Sequence, residues 1–179
     1  MSVIASPPKV AGDAEDAEGF LFSRDGAGYA VIGFVGKAKE VAIPAVHNGL
    51  PVVSIRNSAF FRNQLFEVKI PSSVAHIGSL AFAVSLLTCV NIPSSVTHIG
   101  DGAFWGNQLT RVTIPDSVTD IGWCAFVGNQ LTRITIGNNV THIGEEAFAR
   151  NMPLTSVTVP KSAHIAPNAF DPTVKIMRN

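Results

Sequence analysis

Leu109-Thr-Arg-Val-Thr-Ile-Pro-Asp-Ser-Val-Thr-Asp-Ile-Gly-Trp-Cys-Ala-Phe-Val-Gly-Asn129 is one copy of a unit that recurs along most of the chain. Its Ala-Phe pair returns at Ala59-Phe60, Ala81-Phe82, Ala103-Phe104, Ala125-Phe126, Ala147-Phe148 and Ala169-Phe170, with successive Phe residues 22 apart. A fixed period of this length marks a solenoid. Each unit has apolar faces that only a neighbouring unit can cover. The repeat therefore predicts a stack whose outer faces carry the function.

Within a unit, Val-x-Ile alternates with period two and predicts a short strand with its β-branched members inward. The following Pro ends it, because Pro cannot donate to a ladder. Equivalent strands of successive units should form a parallel sheet. Ile-Gly-x-x-Ala-Phe is too short for a full helix, and the expectation is a tight turn plus a single helical turn. The six Phe side chains should then form a continuous spine.

The repeats run over residues 40–172, beginning near Glu40, Leu65, Leu87, Leu109, Leu131 and Leu154. The first carries an insert, Asn48-Gly-Leu-Pro51. Residues 1–18 are rich in Ala, Pro, Asp and Glu, carry no period and suggest a flexible arm. Between 19 and 39, two apolar runs flank Arg24-Asp-Gly-Ala-Gly, the pattern of a β-hairpin and an expected N-terminal cap. Residues 173–179 suggest a closing strand. Residues 19–179 are thus expected to form a single domain.

Apolar residues make up 46% of the 179 and charged residues 15%, too little charge for a disordered chain. Lys plus Arg equals Asp plus Glu at 13 each, so no global basic field is available for nucleic acid. No run approaches the ~20 apolar residues of a membrane span. The first residues lack the charged and apolar regions of a signal peptide. Cys89 and Cys124 occupy different positions of the repeat, and no bridge between them is expected.

Leu-x-x-Val-x-Ile-Pro-x-Ser-Val followed by Ile-Gly-x-x-Ala-Phe resembles the BspA-like, or Treponema-type, leucine-rich repeat. The likeness spans about residues 28–177, including the Asn48-Gly-Leu-Pro-Val-Val-Ser-Ile55 stretch of the first repeat. It implies a right-handed, curved β-rich α/β solenoid with a parallel sheet on its concave face. It also implies a bacterial protein-binding scaffold, secreted or at the cell surface, several relatives being adhesins for host matrix or cells. Where many relatives carry Cys three residues after the Phe, this chain carries Asn63, Asn107, Asn129 and Asn151.

In a solenoid the useful unit is a column, one repeat position followed down the stack. The exposed strand positions are Glu40/Ala42, Glu67/Lys69, Cys89/Asn91, Arg111/Thr113, Arg133/Thr135 and Ser156/Thr158. They predict a protein-binding face with Arg111 and Arg133 as anchors, since Arg is enriched at interface hot spots. Lys69, Asn91, Thr113 and Thr135 surround them. The alternative is a merely solvated sheet.

A second column reads Ser54, His76, His98, Asp120, His142, His164. His and carboxylate are good zinc or copper ligands, but a ladder is linear and a zinc shell must converge, so no metal is expected. Clustered imidazoles would repel one another once protonated. The residues after Phe place Trp105 near Trp123, as buried packing or as an exposed interaction patch. The Asn column is expected to bond turn backbone.

Gly-rich phosphate loops, Cys-x-x-Cys, His-Glu-x-x-His and Gly-x-Ser-x-Gly are absent. The expectation is a non-enzymatic module for a protein partner, without cofactor, monomeric or weakly self-associating. A His-column metal binder and a unit that associates through its C-terminal edge are the alternatives.

Overall fold

The structure is a computed structural model and describes residues 14–15 and 18–179. The arm expected at 1–18 lies outside the described residues apart from Ala14, Glu15 and Glu18. The chain opens with β1 (Ala14–Glu15), β2 (Phe20–Asp25) and β3 (Gly28–Phe34), paired antiparallel in that order. Then come β4 (Glu40–Ala42), β5 (Val46–His47) and β6 (Leu50–Ile55). The insert is a hairpin between β5 and β6, turned by Asn48 and Gly49 with φ of 46° and 77°. Asn-Gly suits a two-residue turn that needs both residues left-handed.

From there the coils alternate between two sides. On one lie β7 (Glu67–Lys69), β10 (Arg111–Ile114), β12 (Arg133–Ile136), β14 (Ser156–Val159) and β16 (Lys175–Arg178). On the other lie β8 (His76–Ile77), β9 (His98–Ile99), β11 (Asp120–Ile121), β13 (His142–Ile143) and β15 (His164–Ile165).

The Val-x-Ile strands pair in parallel, but in pieces: β4 with β7, β10 with β12, and β14 with β16. The segment 89–91 joins by one bridge, Lys69 to Asn91. The long continuous sheet is the other one. It runs β3-β6-β8-β9-β11-β13-β15 in parallel from the N-terminal hairpin to the last repeat. In it each Ile is buried or nearly so, while the residue before it faces outward in all but the first pair.

The expected helical turn, and with it the α/β class, is corrected: no helix occurs among the described residues. The residues two before and two after each Phe explain why. Leu80 and Val84 flank Phe82 with φ of 56° and 53°, and Gly102 and Gly106 flank Phe104 at 59° and 65°. Left-handed residues at that spacing interrupt any right-handed helix. The backbone instead divides its donors. Ala59 and Phe61 N–H reach back three residues to Arg56 and Ser58, whereas Ser58, Phe60 and Arg62 N–H donate across to Ser79, Ala81 and Ala83 of the next coil. The turn segment is thus a third ladder along the stack.

These three sides enclose the Phe spine. Rings from Phe60 to Phe170 stack at centroid separations of 4.9, 5.4, 5.1, 5.1 and 5.2 Å, tilted by no more than 14°. That spacing is close to the inter-strand distance of a sheet, so each coil contributes one ring per step. At the N-terminal end Phe20 and Phe34 meet Phe60 at 6.2 and 5.8 Å. Burying each ring contributes roughly 1.5–3 kcal/mol.

Candidate functional site

Period-two alternation turns the flanks of each inward Val or Ile outward, and parallel pairing then sets those flanks in columns. Arg111 lies beside Arg133 and Thr113 beside Thr135. Lys69 lies beside Asn91 on one side and Ala42 on the other. All of these side chains are exposed. The fold therefore brings Lys69, Asn91, Arg111, Thr113, Arg133 and Thr135 onto one face. An open groove of about 910 Å³ follows this face, with Thr113, Arg133, Thr135, Asn138, Ser156 and Thr158 in its lining. Smaller hollows of about 390 and 240 Å³ lie over Glu67, Lys69, Cys89 and Asn91 and over Glu40, Ala42, Glu67 and Lys69. Lys69 Nζ is 4.0 Å from Glu67 Oε1.

The His column lies on the continuous sheet. Asp120 sits between two histidines, with Oδ2 3.4 Å from His98 Nε2 and Oδ1 3.2 Å from His142 Nδ1. His98 and His142 are on successive strands either side of it, so the groups follow a line instead of surrounding a point. Thr97 and Thr141 hydroxyls engage the Nδ1 atoms of His98 and His142 at 2.8 and 3.0 Å, drawing on ring nitrogens a metal would need. Among the described residues no group of three or more His, Cys, Asp or Glu is placed to hold a metal ion. The fifth histidine, His47, stacks on Phe22 at 4.0 Å and meets the Tyr29 ring at 4.7 Å.

Trp105 and Trp123 belong to the turn ladder, not to the strand face. They are 44% and 55% exposed, so neither indole is buried in packing. In the column of Trp105, Ala83, Val127 and Ala149 are buried. Cys89 is exposed on the strand face, and Cys124 is buried in the turn ladder; both are free thiols. Burial, with Glu146 Oε2 3.8 Å from its sulfur, pushes the Cys124 thiol above its ordinary value.

The Asn column is structural in its contacts. Asn129 Nδ2 donates to Phe104 O (2.9 Å) and Phe126 O (3.0 Å), and its Oδ1 accepts from Leu109 N (3.1 Å). Asn107 and Asn151 repeat the pattern one coil away on each side. A second set of polar contacts went unnoticed in the sequence. Asn57, Asp101, Asp116 and Asp171 accept from the backbone N–H of Ser79, Trp123, Asn138 and Arg150 in neighbouring coils. Their signal was available, since three of these pairs are 22 residues apart.

The comparisons agree with this geometry. The model of the BspA type leucine rich repeat region matches residues 53–176 in 6 copies. No curated protein matches the chain. Among solved structures, the leucine rich repeat protein TpLRR of T. pallidum is 25% identical, with a TM-score of 0.75 over 90% of this chain and 85% of that one. A leucine rich cell surface protein from Faecalibacterium prausnitzii is 25% identical, with a TM-score of 0.63 over 97% of this chain and 56% of that one. The pneumococcal vaccine antigen PcpA shares the fold, with a TM-score of 0.69 at 19% identity over 94% of this chain and 48% of that one. The chain thus spans about half the length of the last two. With its unit repeated from the first coil to the last and its coils superposing on these solenoids, the chain belongs to the BspA-type leucine-rich repeat family.

Proposed function

We propose that this chain is a non-enzymatic interaction module that binds a protein partner through its strand face, at the bacterial cell surface or in secreted form. The observation that carries this is the arrangement of Arg111 and Arg133, adjacent and exposed on a paired sheet, Arg133 lining a groove of about 910 Å³. Rigid backbone under an Arg pair lowers the ordering cost of binding. The cell-surface description of the F. prausnitzii protein supports the location. No helix among the described residues is long and apolar enough to cross a membrane. Right-handed curvature making the strand face concave, a capping role for the β2–β3 hairpin and a single domain over 19–179 belong to the same reading. An adhesin for host matrix is its sharper form.

The test is binding to immobilised collagen, laminin and fibronectin. Arg111→Ala combined with Arg133→Ala should lower affinity, a central Arg costing about 2 kcal/mol or more when truncated. Unchanged binding in that variant would refute the reading. A second reading rests on the exposure of Trp105 and Trp123. In that case Trp105→Ala abolishes binding and the Arg variant does not.

A further inference from the structure

The outer column of the strand face carries charge in an order that reverses sign about Cys89. Read down the stack it runs Glu40, Glu67, Cys89, Arg111, Arg133, Ser156 and Lys175, the last two lying beyond the five coils symmetric about Cys89. The register is set by structure as well as by period. Glu40 pairs beside Glu67, and Lys69 bridges to Asn91, which places Cys89 next in line. Leu87 O accepts from Gln108 N, tying that coil to the next, and Arg111 pairs beside Arg133. Cys89, Glu40 and both arginines are exposed, and Glu67 is partly so.

From this order we infer that the strand face binds a second copy of this chain face to face, about a two-fold axis along the strand direction through Cys89. The inference rests on the reading of the strand face as the binding surface and names one partner for it. Such an axis reverses the stacking order of one copy relative to the other. Glu67 then faces the second copy's Arg111, Glu40 faces its Arg133, and Cys89 faces its own equivalent. By symmetry each pair occurs twice. In the neighbouring column Asn91 meets itself, Lys69 meets Thr113 and Ala42 meets Thr135, so no like charges oppose.

Other registers are worse. An axis one coil earlier sets Glu67 against Glu67, and an axis one coil later sets Arg111 against Arg111. Packing without reversal of the stack turns the strands antiparallel and sets Glu67 against the second copy's Lys69, but leaves Glu40, Arg111 and Arg133 opposite Ala42, Thr113 and Thr135, uncharged partners. Opposed like charges are a strong selector among registers. The contact is small. Five coils at ~4.8 Å spacing and two exposed positions per coil fall well short of the ~800 Å² per partner of a standard interface. The pair is therefore weak, exchanging and sensitive to salt.

The experiment is cross-linking of the whole chain with a short bis-maleimide at low ionic strength, mixing ¹⁵N-labelled and unlabelled protein. Mass spectrometry then reads the fraction of Cys89–Cys89 cross-links between copies. A span-matched reagent is used because facing sheets lie ~10 Å apart, too far for a direct disulfide. Arg133→Glu should lower that fraction about tenfold, and so should added 0.5 M salt (about fourfold shorter screening than dilute buffer). Glu40→Arg alone should do the same. The combined Glu40→Arg, Arg133→Glu variant should restore cross-linking, because each new Arg again faces a Glu. All these positions are exposed, and far-UV circular dichroism checks that each variant folds.

Absence of Cys89–Cys89 cross-links, or cross-links indifferent to Arg133→Glu, would overturn the inference. So would failure of the double variant to recover. A protein that stays monomeric yet loses matrix binding in the Arg111→Ala, Arg133→Ala variant removes only the second copy and leaves the strand face as binding surface. A protein that cross-links as described but binds no matrix protein keeps the second copy on the strand face and removes only the matrix partner.

Discussion

Replacing Asn129 tests whether the polar column holds the coils together. Its amide spans three backbone groups from two coils, with contacts of 2.9, 3.0 and 3.1 Å, and the side chain is buried. In Asn129→Ala, Phe104 O still receives Asn107 Nδ2 and Phe126 O still receives Asn151 Nδ2. Those two carbonyls lose one bond each, roughly 0.5–1.5 kcal/mol apiece. Leu109 N–H loses the acceptor Asn129 supplies and adds about 1–3 kcal/mol. The sum is roughly 2–6 kcal/mol, a large share of an ordinary domain's stability. Urea melts of the variant should therefore show a much lower midpoint. Asn129→Asp should be no better, because a carboxylate can accept from Leu109 but cannot donate to the carbonyls. At position 85 a Ser makes one bond, to Phe60 O at 3.1 Å. Ser85→Asn, able to accept from Leu65 as Asn107 does from Leu87, should raise stability by about 0.5–1.5 kcal/mol. A loss below about 1 kcal/mol in Asn129→Ala would show that the column fills space and does not staple the stack.

Further outcomes follow from the same geometry. Phe104→Ala and Phe126→Ala, each stacked on both sides, should cost roughly 3–5 kcal/mol. Phe170, stacked on Phe148 alone of the spine, should cost less, and equal losses in denaturant melts would contradict a nearest-neighbour stack. Val84→Gly should stabilise by up to about 1 kcal/mol, since a β-branched residue holds a φ of 53° where the next two coils carry glycine; thermal melts read the sign. Alkylation at mildly alkaline pH should modify Cys89 quickly and Cys124 slowly. Glu146→Gln removes a neighbour that raises the Cys124 thiol's pKa, so the thiolate fraction and the rate at Cys124 should rise.

Much of the fold was legible because its strongest signal is geometric. Phe at a constant 22-residue spacing can form a spine only if coils stack one above another. Val-x-Ile showed which strand positions face out, so the columns of Arg111 and Arg133 could be written before any coordinates. The continuous sheet was not legible, because its strands are two residues long and period-two alternation needs more positions to register. The turn ladder was missed for a related reason. Its left-handed positions are held by Ser58, Leu80, Cys124 and Glu146 as well as by Gly102, so no glycine pattern announced them. Exposure of the tryptophans could not be read from their column either. At that same repeat position Ala83 and Val127 are buried while Phe61 and Trp105 are exposed, so the position in the repeat does not by itself decide burial.

The central claim is that the strand face, not the turn ladder, meets the partner. Cys89 and the two tryptophans report on these surfaces separately, one exposed thiol on the first and both exposed indoles on the second. The decisive measurement is a footprint of the dilute protein on whichever of collagen, laminin or fibronectin retains it. It records the alkylation rate of Cys89 and the acrylamide quenching of tryptophan fluorescence, bound and free. The account predicts that binding shields Cys89 and leaves the indoles as accessible as before. Shielded indoles with Cys89 still freely alkylated would contradict it.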